Sequence, residues 1–505
     1  MIKSCSAYHQ KTSYARYALK DQVLDWDHPP DLYKTYPVKN RIPLPKVDTL
    51  PKADLWHLVQ DRSKKKLDPD FDLNFFSQIF LLSYSITARI RYPGHDFYYR
   101  TVPSAGALYP SEIYLCTYPI GNTEPGLYHY GIRSQRLTPL RLSDLRDFVA
   151  TASGIRNYQG LAATFFITGN FFRSAWKYRA RAYRYVLLDS GHLVENILLA
   201  LKSTSVAFTI HYNFKDHELE HLIGLDHKRE SCLACIHCWG KEIPSGDGEK
   251  NPASLSPEII GACRVSSHEM IYREIVEIHE AGIKLPGFSS IQVPMIQKIG
   301  VSPGEWIQFS VPEKRIRKAN YSQAVLYRRS RRNFTKKILS RDTFGNLLSL
   351  LFSQFEADLP KTQEFSFPIC IGFLAGNIEG WRPGFYLLDL ENRKTGLVRP
   401  GVFTENMASV CLEQNWLGNA AVHFLFLTNL EAIDRMWGGG YRYTMITSGK
   451  LGQMIYLGAT ALGIGCCGIG ALYDDEAKAL LGLNKESRLL YLVASGPVRS
   501  VEYLD

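Results

Sequence analysis

The chain predicts an α+β fold built twice. One pattern returns after a constant shift, since "PGLYHY" begins at Pro125 and "PGFYLL" at Pro383, and 383 − 125 = 258. Each copy also mixes short strand-like runs with longer helical ones, the mark of helices packed on an antiparallel or mixed sheet. Composition permits this: of 505 residues, 45% are hydrophobic and 21% charged, a globular balance with chain enough for two or three buried cores.

The repeat can be followed element by element. "LAATFFITGN" from Leu161 falls on "NAAVHFLFLT" from Asn419, and "YRYVLLDSGHL" from Tyr183 on "YRYTMITSGKL" from Tyr441. "LIGL" at Leu222 meets "LLGL" at Leu480. Each copy is expected to run helix, small strands ("SEIYLCTYPI" and "TFFITGNF" in the first), a long helix after the YRY motif, and a final strand. The polar, Gly/Pro/Ser-rich "GKEIPSGDGEKNPASLSP" reads as a linker, and the helix-like "SSHEMIYREIVEIHEAG" follows it. The expected domains are residues 1–240, a linker and connecting helix over 241–320, and residues 321–505.

Leu451 to Tyr473 is uncharged and long enough to span a bilayer. Its glycines crowd into the second half, and its counterpart in the first copy carries Glu195, Lys202 and His211. A helix, then a glycine-rich turn and a strand, is therefore expected, and no membrane association. The N-terminal segment has no apolar run of a secretory signal, and ten cysteines in so long a chain are no disulfide framework, so a cytoplasmic setting is expected. Lysine plus arginine number 59 against 49 acidic residues, with the excess scattered in pieces such as "RSKKKLD" and "KYRARAYR". Scattered basic pieces without a groove-entering motif favour anionic small-molecule groups or an acidic peptide over nucleic acid.

"ESCLACIHCWG" places Cys232, Cys235 and Cys238 at the spacing of cluster ligands. At a shift of 256 it aligns with "ESRLLYLVASG", putting Arg488, Tyr491 and Ala494 at those positions. On a regular strand side chains alternate, so Cys235 should point away from the other two; buried structural cysteines are expected, and no metal. His192 stands where the second copy has Lys450, which predicts a place near a helix surface.

Two motifs fall outside the shift. "RRSRRNF" offers Arg328, Arg329, Ser330 and Arg332 in one short span, suited to a phosphate or another oxyanion, although most arginine clusters are solvated faces. "VPSAGALYP" holds Pro103, Ser104, Ala105 and Gly106, which alone would mean a turn. Taken with "YLGATALGIGCCGIGALYDDEAKALLGL", "LDWDHPPDLYKTYP" and "RIPLP", they resemble the flavin-dependent nitroreductase superfamily, and within it the SagB/ThcOx-type azoline dehydrogenases.

That resemblance implies two nitroreductase-like domains with FMN at their interface. Arg328, Arg329, Ser330 and Arg332 would hold its phosphate and ribityl end, with Arg499 as a further phosphate contact. Gly468, Ile469 and Gly470 would lie against the ring, where glycine lets backbone approach a flat ligand. Pro103, Ser104, Ala105 and Gly106 would come from the other domain. "QDRSKKKL", with Arg62 and Ser63, is at most a vestige of the arginine motif in the first copy, and the second copy lacks the P-S loop. The expectation is an intramolecular pseudo-dimer with one FMN per chain. Lys177 and Tyr178 match the family's catalytic pair, the lysine serving as a base if desolvated; the second copy has Arg435 and Met436 there. "MWGGGYRY" resembles a mobile loop over the pocket.

The implied activity is FMN-dependent dehydrogenation of peptide thiazolines or oxazolines to azoles, beside a cyclodehydratase-type partner and a precursor peptide. The alternatives are an NAD(P)H-dependent nitroreductase-like enzyme acting on a small molecule, and a non-catalytic scaffold subunit of a peptide-modifying complex.

Overall fold

The computed structural model describes residues 2–18, 23–60, 70–92, 95–119, 123–241, 248–283, 294–313, 316–358, 367–436 and 440–499. Arg62 and Ser63, the middle of "MWGGGYRY" and part of the linker lie outside the described residues. The strands are β1 (Ile42–Pro43), β2 (Ile86–Tyr92), β3 (His95–Arg100), β4 (Ser111–Thr117), β5 (Gly126–Gly131), β6 (Arg136–Arg141), β7 (Leu161–Asn170), β8 (Ala207–His211) and β9 (Glu230–Trp239). There follow β10 (Ile307–Gln308), β11 (Cys370–Ala375), β12 (Gly384–Asp389), β13 (Lys394–Pro400), β14 (Val422–Asn429), β15 (Gly465–Ile469) and β16 (Ser487–Gly496).

They form two seven-stranded sheets of the same order, β1-β6-β5-β4-β7-β9-β8 and β10-β13-β12-β11-β14-β16-β15, and a separate hairpin β2-β3. The repeat persists in element boundaries: strand starts 126 and 384, 136 and 394, and 207 and 465 each differ by 258, for example 465 − 207 = 258. Both copies are therefore α+β repeats in which a long helix, Ala182–Ser203 or Gly440–Leu462, packs on the sheet. Residues 182–201 are all buried, the polar Arg184, Asp189, His192, Glu195 and Asn196 among them. His192 is among them at 1% exposure, so its expected place near a helix surface is wrong; Lys450, its counterpart, is buried too.

The chain groups into two compact units that do not follow sequence order: unit 1 holds residues 1–22, 52–62 and 284–505, unit 2 residues 23–51 and 63–283. Specific bonds fix the early segments of unit 1. The helix Cys5–Lys11 is capped by Ser4 and receives the Asp434 carboxylate at its N-terminus, which accepts from Cys5 N–H and Ser6 Oγ at 2.6 Å each. In the helix Leu55–Gln60, Trp56 donates its indole N–H to the Asn346 carbonyl at 3.0 Å and carries the Arg317 guanidinium 3.6 Å over its ring.

Two expectations are corrected by the sheets. Beyond Leu462 the expected order holds, because Gly463, with φ +73°, turns the chain and "GCCGI" is strand β15. No helix among the described residues is long and apolar enough to cross a membrane. The final strand keeps the shift of 258, not 256, because Phe166 pairs with Cys235 as Phe424 pairs with Val493, and 493 − 235 = 258. Second, the register slips between Ile167 and Thr168, a bulge in β9 that turns Cys232 to the face of Cys235, with the two sulfurs 3.9 Å apart. Cys238, three regular positions on, faces the opposite side of the strand. All three are fully buried, and none belongs to a group of three ligand atoms within metal reach among the described residues.

Unit 2 buries an ion pair in its core. Lys34 Nζ donates to Glu230 at 2.6 Å and to the Tyr114 hydroxyl at 2.8 Å, while Thr168 and Tyr114 donate to the other carboxylate oxygen at 2.6 and 3.1 Å. Lys34→Met leaves Glu230 charged and without its cation, so urea unfolding should show a loss of about 3–5 kcal/mol. The double variant Lys34→Met, Glu230→Gln should recover part of it.

Candidate functional site

In unit 1 the arginine motif begins where a helix stops. Tyr321–Tyr327 carries an Asn320/Gln323 capping box, and Arg328 leaves it with extended ψ of 127°. Arg331 N–H then donates to the Cys466 carbonyl at 2.8 Å, and Arg499 N–H to Asn333 at 3.2 Å. Along the motif Arg328 is buried, Arg329 half-buried against the carbonyls of Leu326 and Arg328, and Ser330 and Arg332 exposed. Arg499 is exposed as well, and no carboxylate pairs with Arg332 or Arg499 among the described residues. Two open guanidiniums on adjoining segments suit an oxyanion.

The motif is tied to the glycine-rich strand by a residue the sequence reading passed over. Tyr456, in the helix Gly440–Leu462, accepts the Gly468 N–H at 2.7 Å and pairs with the Ser330 hydroxyl at 2.9 Å. The Arg328 guanidinium lies 5.4 Å over its ring. Burial, with the thiols Cys467 and Cys466 beside it, raises the Tyr456 hydroxyl well above its usual range, so it stays a neutral donor and acceptor. A Cβ at Gly468 would stand 1.8 Å from the Tyr491 hydroxyl, which is why only glycine fits. Ile469 is buried, and Gly470 half-buried at the strand's end. The Cys467 thiol is raised by burial and held back by Arg332 next to it.

Unit 2 brings the other two predicted groups together. Pro103, Ser104 and Ala105 are half-buried and Gly106 is exposed. Gly106, Ala107 and Tyr109 all have left-handed φ, at +64°, +55° and +46°, a strain that persists only where neighbours over-determine the chain. Ser104 Oγ donates to Asp189 at 2.5 Å and accepts Tyr109 N–H at 2.8 Å; Ala105 N–H also donates to Asp189. Arg173 donates to the Tyr109 carbonyl at 3.2 Å and pairs with Glu112 at 2.5 Å.

Against this loop sits the candidate catalytic pair. A Cβ on Gly106 would lie 2.9 Å from the Tyr178 hydroxyl and 3.3 Å from Lys177 Cδ, so the loop's backbone rests on both. They end the helix Phe171–Tyr178, which Arg179 breaks with φ +50°. Lys177 Nζ is 5.7 Å from the Tyr178 ring centre, and Tyr178 packs on Tyr185 at 4.4 Å. Lys177 is exposed, so the desolvation expected of it is not supplied by the residues around it. Beside the loop's end a cavity of ≈ 290 Å³ is walled by Tyr33, Phe97, Tyr98 and Tyr109, with the buried Arg100 guanidinium 4.2 Å from the Tyr109 ring centre.

Tyr456, Asp189, Arg173 and Glu112 were legible by one signal, the asymmetry between copies that singled out Lys177. At a shift of 258 (456 − 198 = 258) their counterparts are Leu198, Thr447, Glu431 and Cys370, none of which can make the same bonds.

The nitroreductase family model matches residues 76–241 and 325–496, and the chain belongs to that family, with two tandem repeats. It is 26% identical over 191 residues to the provisionally named nitroreductase MJ1384 of Methanocaldococcus jannaschii, covering 37% of this chain and 96% of that protein. It is 30% identical over 143 residues to the trifolitoxin-processing protein TfxB of Rhizobium leguminosarum bv. trifolii, and 28% over 138 residues to the microcin B17-processing protein McbC of Escherichia coli. These matches cover 27% and 26% of this chain, and it spans only 38% and 50% of the length of those two relatives. A crystal structure from Anabaena variabilis, provisionally described as a nitroreductase, shares the fold over 99% of this chain and 100% of its own, with TM-score 0.77 and 24% identity. Membership makes the protein a nitroreductase-like oxidoreductase.

Burial raises the Asp189 carboxyl to about 7, against the lowering effect of Ser104 and Ala105. Folded Asp189 thus keeps a proton between about pH 4 and 7 that the unfolded chain has lost, so its contribution to stability falls as pH rises through that window. Urea unfolding of Asp189→Asn across pH 4 to 8 should lack this slope, the wild type losing stability relative to it up to about pH 7.

Proposed function

We propose that the protein is an FMN-dependent dehydrogenase that oxidises thiazoline or oxazoline rings in a ribosomal peptide to azoles. The observation that carries this reading is the Lys177–Tyr178 pair resting on Gly106 of the P-S loop, in the one repeat that has both. The chain's residues fit FMN: exposed Arg332 and Arg499 beside Ser330 suit its phosphate. When bound, FMN supplies the two-electron acceptor for the oxidation.

In this reading Ser330, Arg328, Arg329, Arg332 and Arg499 bind and orient the phosphate end, with Tyr456 holding Ser330 and Gly468 in register. Asp189 holds the backbone of residues 103–106 through Ser104 and the Ala105 N–H. Lys177 takes the proton from the ring carbon, and Tyr178 positions the ring by its hydroxyl. The amine of Lys177 loses its water when a peptide covers it, which supplies the desolvation the free protein lacks. The names of TfxB and McbC as trifolitoxin- and microcin B17-processing proteins support this reading, in which a precursor peptide is the substrate and a cyclodehydratase-type protein the partner. Ten buried thiols accord with a cytoplasmic setting.

A second reading, NAD(P)H-dependent reduction of a small molecule, is favoured by MJ1384, which is matched over nearly its whole length. Reconstitution with FMN separates the two. Arg332→Ala should weaken FMN binding at least tenfold by fluorescence titration. Lys177→Ala should keep FMN while slowing dehydrogenation of an azoline-bearing peptide by about 10²–10⁴-fold. Rapid reduction by NADPH with no turnover of that peptide would establish the second reading, and a protein that takes up no FMN would leave the scaffold role.

A further inference from the structure

The cavity at the end of the P-S loop has no part in that chemistry. Its volume of ≈ 290 Å³ is near the lower end for small-molecule sites, roughly 300 Å³, enough for one ring and a short polar arm. Tyr33, Phe97, Tyr98 and Tyr109 give it aromatic walls, and Arg100 and Arg133 line it as well. Phe97 and Tyr98 stand on the hairpin β2-β3, which has no counterpart among the described residues of unit 1. Ala107 and Tyr109 bring the loop's left-handed backbone to the wall, at φ +55° and +46°. Strain of this kind gathers where a ligand is clamped.

The lining carries an excess of positive charge. The Arg100 guanidinium, 1% exposed, donates to the Tyr84 hydroxyl at 2.5 Å and to the Leu32 carbonyl at 2.8 Å. It lies 4.2 Å from the Tyr109 ring centre and 5.1 Å from that of Tyr33, so its place is fixed. Arg133, exposed in the turn between β5 and β6, stands 5.5 Å from the same Tyr33 ring and pairs with no carboxylate among the described residues. The acidic side chain of the lining, Asp96, is already engaged, by Arg89 at 2.5 Å and by the Tyr98 hydroxyl at 3.3 Å. At the shift of 258 Arg133 corresponds to Glu391 (133 + 258 = 391), so the other repeat reverses the charge at this turn. An aromatic cage for an ammonium ion needs open ring faces, whereas here the two guanidiniums take them up.

We propose that this cavity binds an aromatic carboxylate, the ring packing on Tyr33, Phe97 and Tyr98 and the carboxylate taken by Arg133. A guanidinium and a carboxylate meet as a planar fork and two acceptors, and the aromatic walls add ring contacts to the burial. A free aryl acid and a peptide whose last residue is aromatic both offer this ring-and-carboxylate pair. The occupant stands within one short loop of the candidate catalytic pair. Tyr109 is three residues from Gly106, on which Lys177 and Tyr178 rest, at most about 11 Å along the chain.

Calorimetric titration of the full chain with N-acetylphenylalanine tests the site without flavin or azoline, so its outcome is separate from that of the oxidation proposed above. One saturable site per chain is expected. The corresponding amide, which keeps the ring and loses the charge, should bind about tenfold more weakly, and so should N-acetylalanine. Arg133→Gln should weaken the acid about tenfold and leave the amide unchanged, a pattern that misfolding does not produce. Tyr98→Ala should weaken both. Arg273→Gln, at an exposed arginine on another helix, should change nothing. Phenylacetate binding as tightly as an acetylated tripeptide that ends in phenylalanine supports a free acid as the ligand; a preference for the tripeptide supports a chain end. No saturable heat, an amide that binds as well as the acid, or phenethylamine binding more tightly than either overturns the proposal.

Discussion

Arg173 and Glu112 meet at 2.5 Å with almost no exposed surface, and the geometry of unit 2 is referred to that pair. Burial alone would raise the Glu112 carboxyl; Arg173, with His129 at 3.0 Å, holds it well below the usual carboxylate range. Glu112 belongs to β4, in the middle of the sheet, and Arg173 to the first turn of the helix that ends in Lys177 and Tyr178. The same guanidinium donates to the carbonyls of Tyr109 and Asp31 at 3.2 and 2.8 Å. Sheet, P-S loop, N-terminal segment and the helix Phe171–Tyr178 thus share one fixed point. A buried cation with this many acceptors tolerates little displacement, since any broken bond leaves a polar group dry.

Unit 1 repeats the topology without that device, for Cys370 and Glu431 stand where Glu112 and Arg173 would be. Its fixed point is the Tyr456 hydroxyl, neutral and buried, between Ser330 and the Gly468 amide. The two repeats therefore differ less in their backbones than in which buried polar atoms organise a loop: an ion pair and a carboxylate in unit 2, a phenol in unit 1. The side chains so placed are two open guanidiniums, Arg332 and Arg499, in unit 1 and a lysine–tyrosine pair against a strained loop in unit 2.

The strain is informative in itself. Gly106, Ala107 and Tyr109 hold left-handed backbones, and only Gly106 does so without a Cβ penalty. Ser104, Asp189 and Arg173 offset that cost with hydrogen bonds, those of Arg173 charge-assisted. The result is a backbone that stays put beside the Tyr178 hydroxyl, with an aromatic cavity at its end large enough for a side chain or a small ring. Rigid placement of this kind serves chemistry more directly than it serves stability.

Much of this was legible in order of chain. The duplication, the strand starts separated by 258 residues, the arginine motif, the P-S loop and the Lys-Tyr pair are local patterns, and local patterns follow from side-chain periodicity and turn chemistry. What the sequence alone determined was thus the repeated α+β frame and the short stretches in which functional side chains stand. Only the tertiary structure decided that residues 1–22 and 52–62 join the second repeat, that His192 is buried, and that a bulge turns Cys232 toward Cys235. It alone matched Tyr456 to Gly468 and Asp189 to Ser104. The reason is physical: a strand's register and a buried side chain's partner are set by what packs against them from distant parts of the chain, and no window of sequence contains both sides of that contact.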